Sequence, residues 1–241
     1  MTFALHAGKE RVGRPRTLSV PAYHSYFDKG VFAMNCTCHN DLGWLNTQKE
    51  TADYRSKEII LPVLKVLSEN PGIIKASLST VHAYTSTQAI VDGPIRGGHD
   101  FRKGRAAAQN TVPETTGAAI SVTRAIPDLK GKFDGLSFRV PNITGSISDI
   151  TFIAKRPTTV EEIAQILTDA AGTERWKGIL QVTRDQLVSS DIIGQPFGAT
   201  VPLDLIKVID GDMVKVLSWY DNEAGYVSTL IKHVEKVSAL L

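Results

Sequence analysis

Residues 74–88 restrict the fold of this chain more than any other stretch. Ile74, Ala76 and Leu78 alternate with Lys75, Ser77 and Ser79, the period-two pattern of a strand with one buried face. Continuing the alternation puts His82 on the apolar face at the strand's C-terminal end. A strand end can present an imidazole, which titrates near neutrality, to a cleft; the plainer role is a core histidine capping the strand. Hydroxyls follow in Thr85, Ser86 and Thr87, then cations in Arg96, Arg102, Lys103 and Arg105. These are the groups that hold a phosphorylated ligand beside an acid–base group.

Periodic segments continue on both sides. Ile59, Ile60, Val63, Leu64 and Leu67 recur at helical spacing, with Pro62 early enough in the helix to be tolerated. Asn70–Pro71–Gly72 then breaks it. Asp92 to Asn110 is a long loop carrying glycines and cations, and long ordered loops are usually functional or interfacial; the alternative for its charges is a solvated surface. Thr111 to Ala125 is expected to be a helix or its start, with Thr116 and Gly117 offering a hydroxyl and backbone amides to an anion. Lys132 to Val140 and Ile147 to Ala154 are expected as strands.

Thr159–Val160–Glu161–Glu162 forms a Thr-x-x-Glu capping box. The stripe Val160, Ile163, Ala164, Leu167, Ala170 and Ala171 follows it and ends near Gly172. Further strands are expected around Gly178–Val182, Val201–Ile209 and Met213–Tyr220. Asp221 or Asn222 can cap a last helix with the stripe Val227, Leu230, Ile231, Val234, Val237 and Leu241. Strands and helices do not alternate strictly. The expected fold is therefore α+β: a mostly antiparallel mixed sheet with a helix layer on one face.

Two regions result, a divergent N-terminal segment over 1–56 and a patterned domain over 57–241. The first holds both cysteines, is punctuated by Pro15, Pro21, Gly30 and Gly43, and shows little sustained periodicity. His24, Cys36, Cys38 and His39 have the side chains of a zinc site, but Cys-x-Cys-His lacks the paired spacing of common structural sites, so no metal is expected. Cysteines at 36 and 38 do not suggest a disulfide framework. With 42% apolar residues, 22% charged residues and a net charge of +2, nothing points to nucleic acid, and no run approaches the ~18 apolar residues of a membrane span. The start, through Thr17, lacks the serines and amphipathicity of a targeting peptide, so a cytoplasmic location is expected.

Several motifs resemble the catalytic domain of the glyceraldehyde-3-phosphate dehydrogenase family, in order and at plausible spacing. They are Val81–His82–Ala83–Tyr84–Thr85, Val91–Asp92–Gly93–Pro94, Gly104–Arg105–Ala106–Ala107–Ala108–Gln109–Asn110, Thr116–Gly117–Ala118–Ala119, Phe138–Arg139–Val140–Pro141 and Ser218–Trp219–Tyr220–Asp221–Asn222–Glu223–Ala224–Gly225–Tyr226. The resemblance covers roughly residues 57 to 241 and omits the first 56. No Gly-x-Gly-x-x-Gly follows a strand, and the 56 residues ahead of the match are too few for two βαβ halves, so a dinucleotide-binding Rossmann domain is expected to be absent.

The resemblance implies oxidation of a phosphorylated aldehyde by NAD, through a cysteine thioester that inorganic phosphate releases as an acyl phosphate. It implies that His82 is the base, and that Thr85 and Arg139 hold the substrate phosphate with Arg102 or Lys103 assisting. Thr116 and Gly117 would hold inorganic phosphate, Asn222 would bond the nicotinamide amide, and Tyr226 would lie nearby. Arg139 can instead pair with a buried carboxylate, and Asn222 can be only a helix cap. The family's nucleophile position falls on Arg55, seven residues before Pro62, and a permanently protonated guanidinium has no lone pair for a carbonyl. The nearest thiol in a similar setting is Cys36, within Asn35–Cys36–Thr37–Cys38–His39–Asn40.

In the family the 92–110 loop crosses a subunit boundary, which implies a homo-oligomer or association with full-length subunits. The last helix normally packs on the dinucleotide domain, so an apolar patch on it should be open or covered by another chain. Three alternatives remain: erythrose-4-phosphate dehydrogenase, a catalytically inactive interaction module, and a protein that binds phosphate esters without turning them over.

Overall fold

The computed structural model describes residues 60–95 and 99–238. Its sheet has eight strands: β1 (Ile73–Ala83), β2 (Val112–Thr115), β3 (Phe133–Val140), β4 (Ser146–Ala154), β5 (Leu180–Thr183), β6 (Ala199–Pro202), β7 (Lys207–Ile209) and β8 (Met213–Tyr220). The order across the sheet is β2-β3-β1-β4-β8-β6-β5, and β7 pairs with β8. Two pairings are parallel, β1 with β3 and β5 with β6; the other five are antiparallel. The four α-helices are α1 (Leu61–Glu69), α2 (Ala118–Ala125), α3 (Val160–Gly172) and α4 (Ala224–Ser238). The fold is the expected α+β arrangement, a mostly antiparallel mixed sheet.

The helix layer covers one face. Val63, Leu64 and Leu67 of α1 and Ile163 and Leu167 of α3 join Leu78, Ile150, Phe152, Val214 and Val216 of the central strands in one core. Burying such side chains is the dominant favourable term in folding, at about 1.5–3 kcal/mol each. Pro62 sits in the first turn of α1, where its missing N–H costs nothing. Thr159 caps α3: its Oγ1 accepts from the Glu162 amide at 3.2 Å.

The alternation in β1 departs from expectation at its start. The β1–β4 register slips between Ile73 and Lys75, so Ile73 is buried while Ile74, expected on the apolar face, is exposed. A bulge shifts the pleat by one residue, and beyond it Leu78, Thr80 and His82 share the buried face. Two other expectations are refined. Val112–Thr115 is a strand and the helix begins only at Ala118, because Val112 and Pro113 pair with Arg139 and Phe138 of β3. The segment 201–209 is two strands separated by a 3-10 turn, Leu203–Leu205.

Asp221 caps the chain's entry to α4, its Oδ1 accepting from the Glu223 amide at 2.7 Å and the Ala224 amide at 3.0 Å. Along α4, Val227, Ile231 and Val234 are 50%, 53% and 57% exposed. That apolar stripe is open. No helix among the described residues is long and apolar enough to cross a membrane.

Candidate active site

The inner face of the sheet changes character along its strands. Leu78 in β1 lies opposite Gly135 in β3 and Ile150 in β4, and Ile150 opposite Val216 in β8, still within the core. One step on, the row across β3, β1, β4 and β8 is Ser137, Thr80, Ser148 and Ser218. The next is Arg139, His82, Ser146 and Tyr220. All eight are buried. Four strands therefore switch from apolar to polar at the same level, and His82 stands directly opposite Arg139.

His82 is 3% exposed, and its Nδ1 lies 2.7 Å from the carbonyl oxygen of Ala83. A carbonyl can only accept, so in a neutral ring Nδ1 carries the proton and the basic lone pair belongs to Nε2. The Tyr220 ring meets the imidazole edge to face, with centroids 6.2 Å apart. Burial pushes the Tyr220 hydroxyl up to about 12, against the opposing pull of Ser146, Arg139 and Ser148.

Thr85 follows His82 by three residues. Its amide donates to Gln88 Oε1 at 3.2 Å and its hydroxyl is 3.0 Å from that of Thr87, so the buried Gln88 fixes the hydroxyl-bearing turn. The next loop folds back on itself: Ala89 donates to the Lys103 carbonyl, Gly93 to that of Gly104, and Ala107 to that of Ala89, each at 2.9 Å.

The three cations described in this loop all face carboxylates. Arg102 is paired with Asp100 through Nε at 2.7 Å and Nη2 at 3.1 Å, and Arg105 reaches Asp92 at 3.2 Å. Lys103 is held 2.7 Å from Glu114 Oε1. Arg139, 8% exposed, donates from Nε to the other oxygen of Glu114 at 2.9 Å. Its Nη1 is buried and has no hydrogen-bond partner among the described residues. Lys103, rather than Arg102, is thus the loop cation joined to Arg139, through a shared carboxylate. Burial acts to raise the Glu114 pKa, but the Lys103 hydrogen bond and the Arg139 charge prevail and hold it below the usual carboxylate value.

Thr116 and Gly117 come two and three residues after Glu114. Gly117 is the N-cap of α2, and the Thr116 hydroxyl accepts from the Ala118 amide at 3.2 Å. Asn222 does not cap α4. Its Oδ1 accepts from the Gly145 amide at 3.1 Å and the Thr144 hydroxyl at 3.4 Å, tying the start of α4 to the turn between Arg139 and Ser146. Its Nδ2 has a 3.4 Å contact with Glu223 Oε1. Tyr226 lies in the first turn of α4, half-buried.

Cys36, Cys38, His24, His39, Arg55 and Arg96 fall outside the described residues. The strands thus bring together His82, Arg139 and Glu114, with Lys103 at the edge, while Arg102 is paired with Asp100. Glu114 was not singled out in the sequence, although it is the one acidic residue in 101–127, among Arg102, Lys103, Arg105 and Arg124. Two open concavities, of 630 and 260 Å³, are lined by residues such as Lys75, Phe133 and Met213 in the first and Lys65, Ile73 and Lys155 in the second. Both lie at the opposite end of β1 from His82.

Residues 58–222 match the family model described as glyceraldehyde 3-phosphate dehydrogenase, C-terminal domain. The chain is 46% identical over 172 residues to glyceraldehyde-3-phosphate dehydrogenase of Streptomyces coelicolor, covering 71% of this chain and 50% of that protein. It is 42% identical over 179 residues to that of Clostridium pasteurianum (73% and 52%), and 44% identical over 182 residues to that of Mycobacterium avium (76% and 52%). The chain spans about half the length of the curated relatives it matches. It belongs to the glyceraldehyde-3-phosphate dehydrogenase family, a family of oxidoreductases, and carries that family's C-terminal domain.

Proposed function

We propose that this domain binds a small phosphorylated aldehyde and takes part in its phosphorylating, NAD-dependent oxidation, with His82 as the proton-transfer group. The observation that carries this is the register of His82 against Arg139, both buried, at the polar end of the sheet. With Nδ1 bound to a carbonyl, the imidazole takes up or delivers a proton at Nε2. Arg139 and Thr85 bind the phosphate end of the aldehyde, Lys103 or Arg102 assists, and Thr116 and Gly117 hold inorganic phosphate. Cys36 is the candidate nucleophile.

Asn222 suits the carboxamide end of NAD: its acceptor is tied to the backbone, and its Nδ2 makes only a long contact. NAD when bound supplies the hydride acceptor. The protein's own part is to grip the phosphate, orient the carbonyl and move the proton at His82. A homo-oligomer, or association with full-length subunits, and a cytoplasmic location belong to the same proposal.

The test measures aldehyde-dependent NAD reduction and, by calorimetry, binding of glyceraldehyde 3-phosphate and of NAD. Turnover lost in His82→Asn, with aldehyde binding retained, is the expected result. A wild-type chain that binds neither ligand ends the proposal. Substituting erythrose 4-phosphate in the same assay separates the two sugar-phosphate substrates, and labelling Cys36 with iodoacetamide with and without aldehyde tests the nucleophile.

A second reading is a non-catalytic assembly module, favoured by the open stripe Val227, Ile231 and Val234 on α4. Co-purification with full-length subunits without turnover would be its signature.

A further inference from the structure

We infer that Glu114 is a built-in occupant of the anion site: its carboxylate bridges Lys103 and Arg139, and a phosphate group enters only by displacing it. The bridge is built from three elements. Glu114 lies opposite Ser137 in the β2–β3 pair, and Arg139 is two residues further along the same face of β3, within diagonal reach. Lys103 comes from the 3-10 turn Phe101–Gly104 that precedes β2. Each carboxylate oxygen takes one cation, Oε1 from Lys103 at 2.7 Å and Oε2 from Arg139 at 2.9 Å.

The arrangement has the form of a liganded anion site whose ligand is part of the chain. Glu114 and Arg139 are about nine-tenths buried, with side chains 11% and 9% exposed. Two cations around one carboxylate leave a net single positive charge, and a phosphate dianion added beside Glu114 would make the cluster net negative. With Glu114 and Arg139 largely desolvated and only Lys103 one-third exposed, at 33%, that is unfavourable, whereas exchanging one anion for the other keeps both cations paired. The buried Nη1 of Arg139, with no partner among the described residues, marks where a second oxygen would be received. An internal carboxylate also orders both cations before a ligand arrives, and it sets a threshold that a weak or singly charged anion does not pass. Glu114 has this part only if Arg139 belongs to an anion site, as proposed above.

The test is calorimetric titration with inorganic phosphate, as a probe of the Arg139 site, of the full chain, of Glu114→Gln and of each with Arg139→Met added. Only binding that Arg139→Met removes counts as binding at this site, and its absence counts as no binding. Removing the competing charge is expected to tighten phosphate binding by about tenfold or more, roughly 1.4 kcal/mol per tenfold, and Arg139→Met to abolish the gain. Equal, Arg139-dependent affinities in wild type and Glu114→Gln overturn the role of Glu114 while leaving the phosphate site standing. Binding in neither overturns both. A gain that survives Arg139→Met overturns the inference as well. Because Glu114→Gln can disturb folding, the wild-type chain supplies a second readout: the Glu114 carboxylate carbon resonance shifts as phosphate saturates the site, and an unmoved resonance at saturation overturns the displacement.

Discussion

Asn222 and Gly145, 77 residues apart in the chain, are joined by a 3.1 Å hydrogen bond from the Gly145 amide to the side-chain oxygen of Asn222. The bond links the entry of α4 to the turn between β3 and β4, whose two strands carry Arg139 and Ser146. Beside Tyr220, the polar end of the sheet is therefore tied to a residue 77 positions further along the chain.

Asn222→Ala removes that acceptor and leaves the Gly145 amide buried without a partner, at a cost of about 1–3 kcal/mol. The midpoint of thermal unfolding should fall by about 2–4 °C for each kcal/mol. Amide exchange at Gly145 should accelerate, while Asn222→Asp, which keeps the acceptor, should preserve most of the protection.

Tyr220 produces an alkaline limit. Its native pKa of about 12 exceeds the ordinary value of 10.0, so the neutral buried ring stabilises the fold fully below pH 10. That contribution is lost as pH rises through the native pKa near 12. Denaturant midpoints measured from pH 9 to 12 should fall less steeply in Tyr220→Phe than in the wild type.

Glu114 works in the opposite sense. Its native pKa lies below the ordinary 4.5, so its ion pairs stabilise the fold above that value and are lost as pH falls further, through the native pKa. Melting curves from pH 7 to pH 3 should show a smaller acid loss in Glu114→Gln. Parallel curves for the two proteins would contradict the bridge.

Gly135 is a close crossing of β3 against β1, one level below the polar rows. A Cβ there would meet the carbonyl oxygen of Leu78 at 2.5 Å and its Cβ at 2.8 Å, in the middle of the parallel β1–β3 pair. The obstacle is backbone, which cannot rotate away, so Gly135→Ala should cost about 1–3 kcal/mol. It should also disturb the register that sets His82 opposite Arg139, seen as chemical-shift changes at both.

Much of the fold was legible locally. Strands lie where they were expected at β3, β4 and β8, helical spacing marked α1, α3 and α4, and the Thr159 cap lay where the Thr-x-x-Glu pattern put it. These features depend on side chains within one or two turns of each other, so the sequence itself contains the interaction. The bulge that buries Ile73 and exposes Ile74 did not show, because it arises from the slip of β1 against β4. The strand Val112–Thr115 was likewise hidden, since only the presence of β3 makes it a strand.

The sequence by itself determined the α+β class, the family and the polar character of each strand end. Tertiary structure decided that Leu78, Ile150 and Val216 end the core at one level, and that Arg139, His82, Ser146 and Tyr220 form one row beyond it. It also decided that Glu114 bridges Lys103 and Arg139. Hydrophobic period is a property of neighbouring residues, whereas register and ion pairing depend on which distant strands lie side by side.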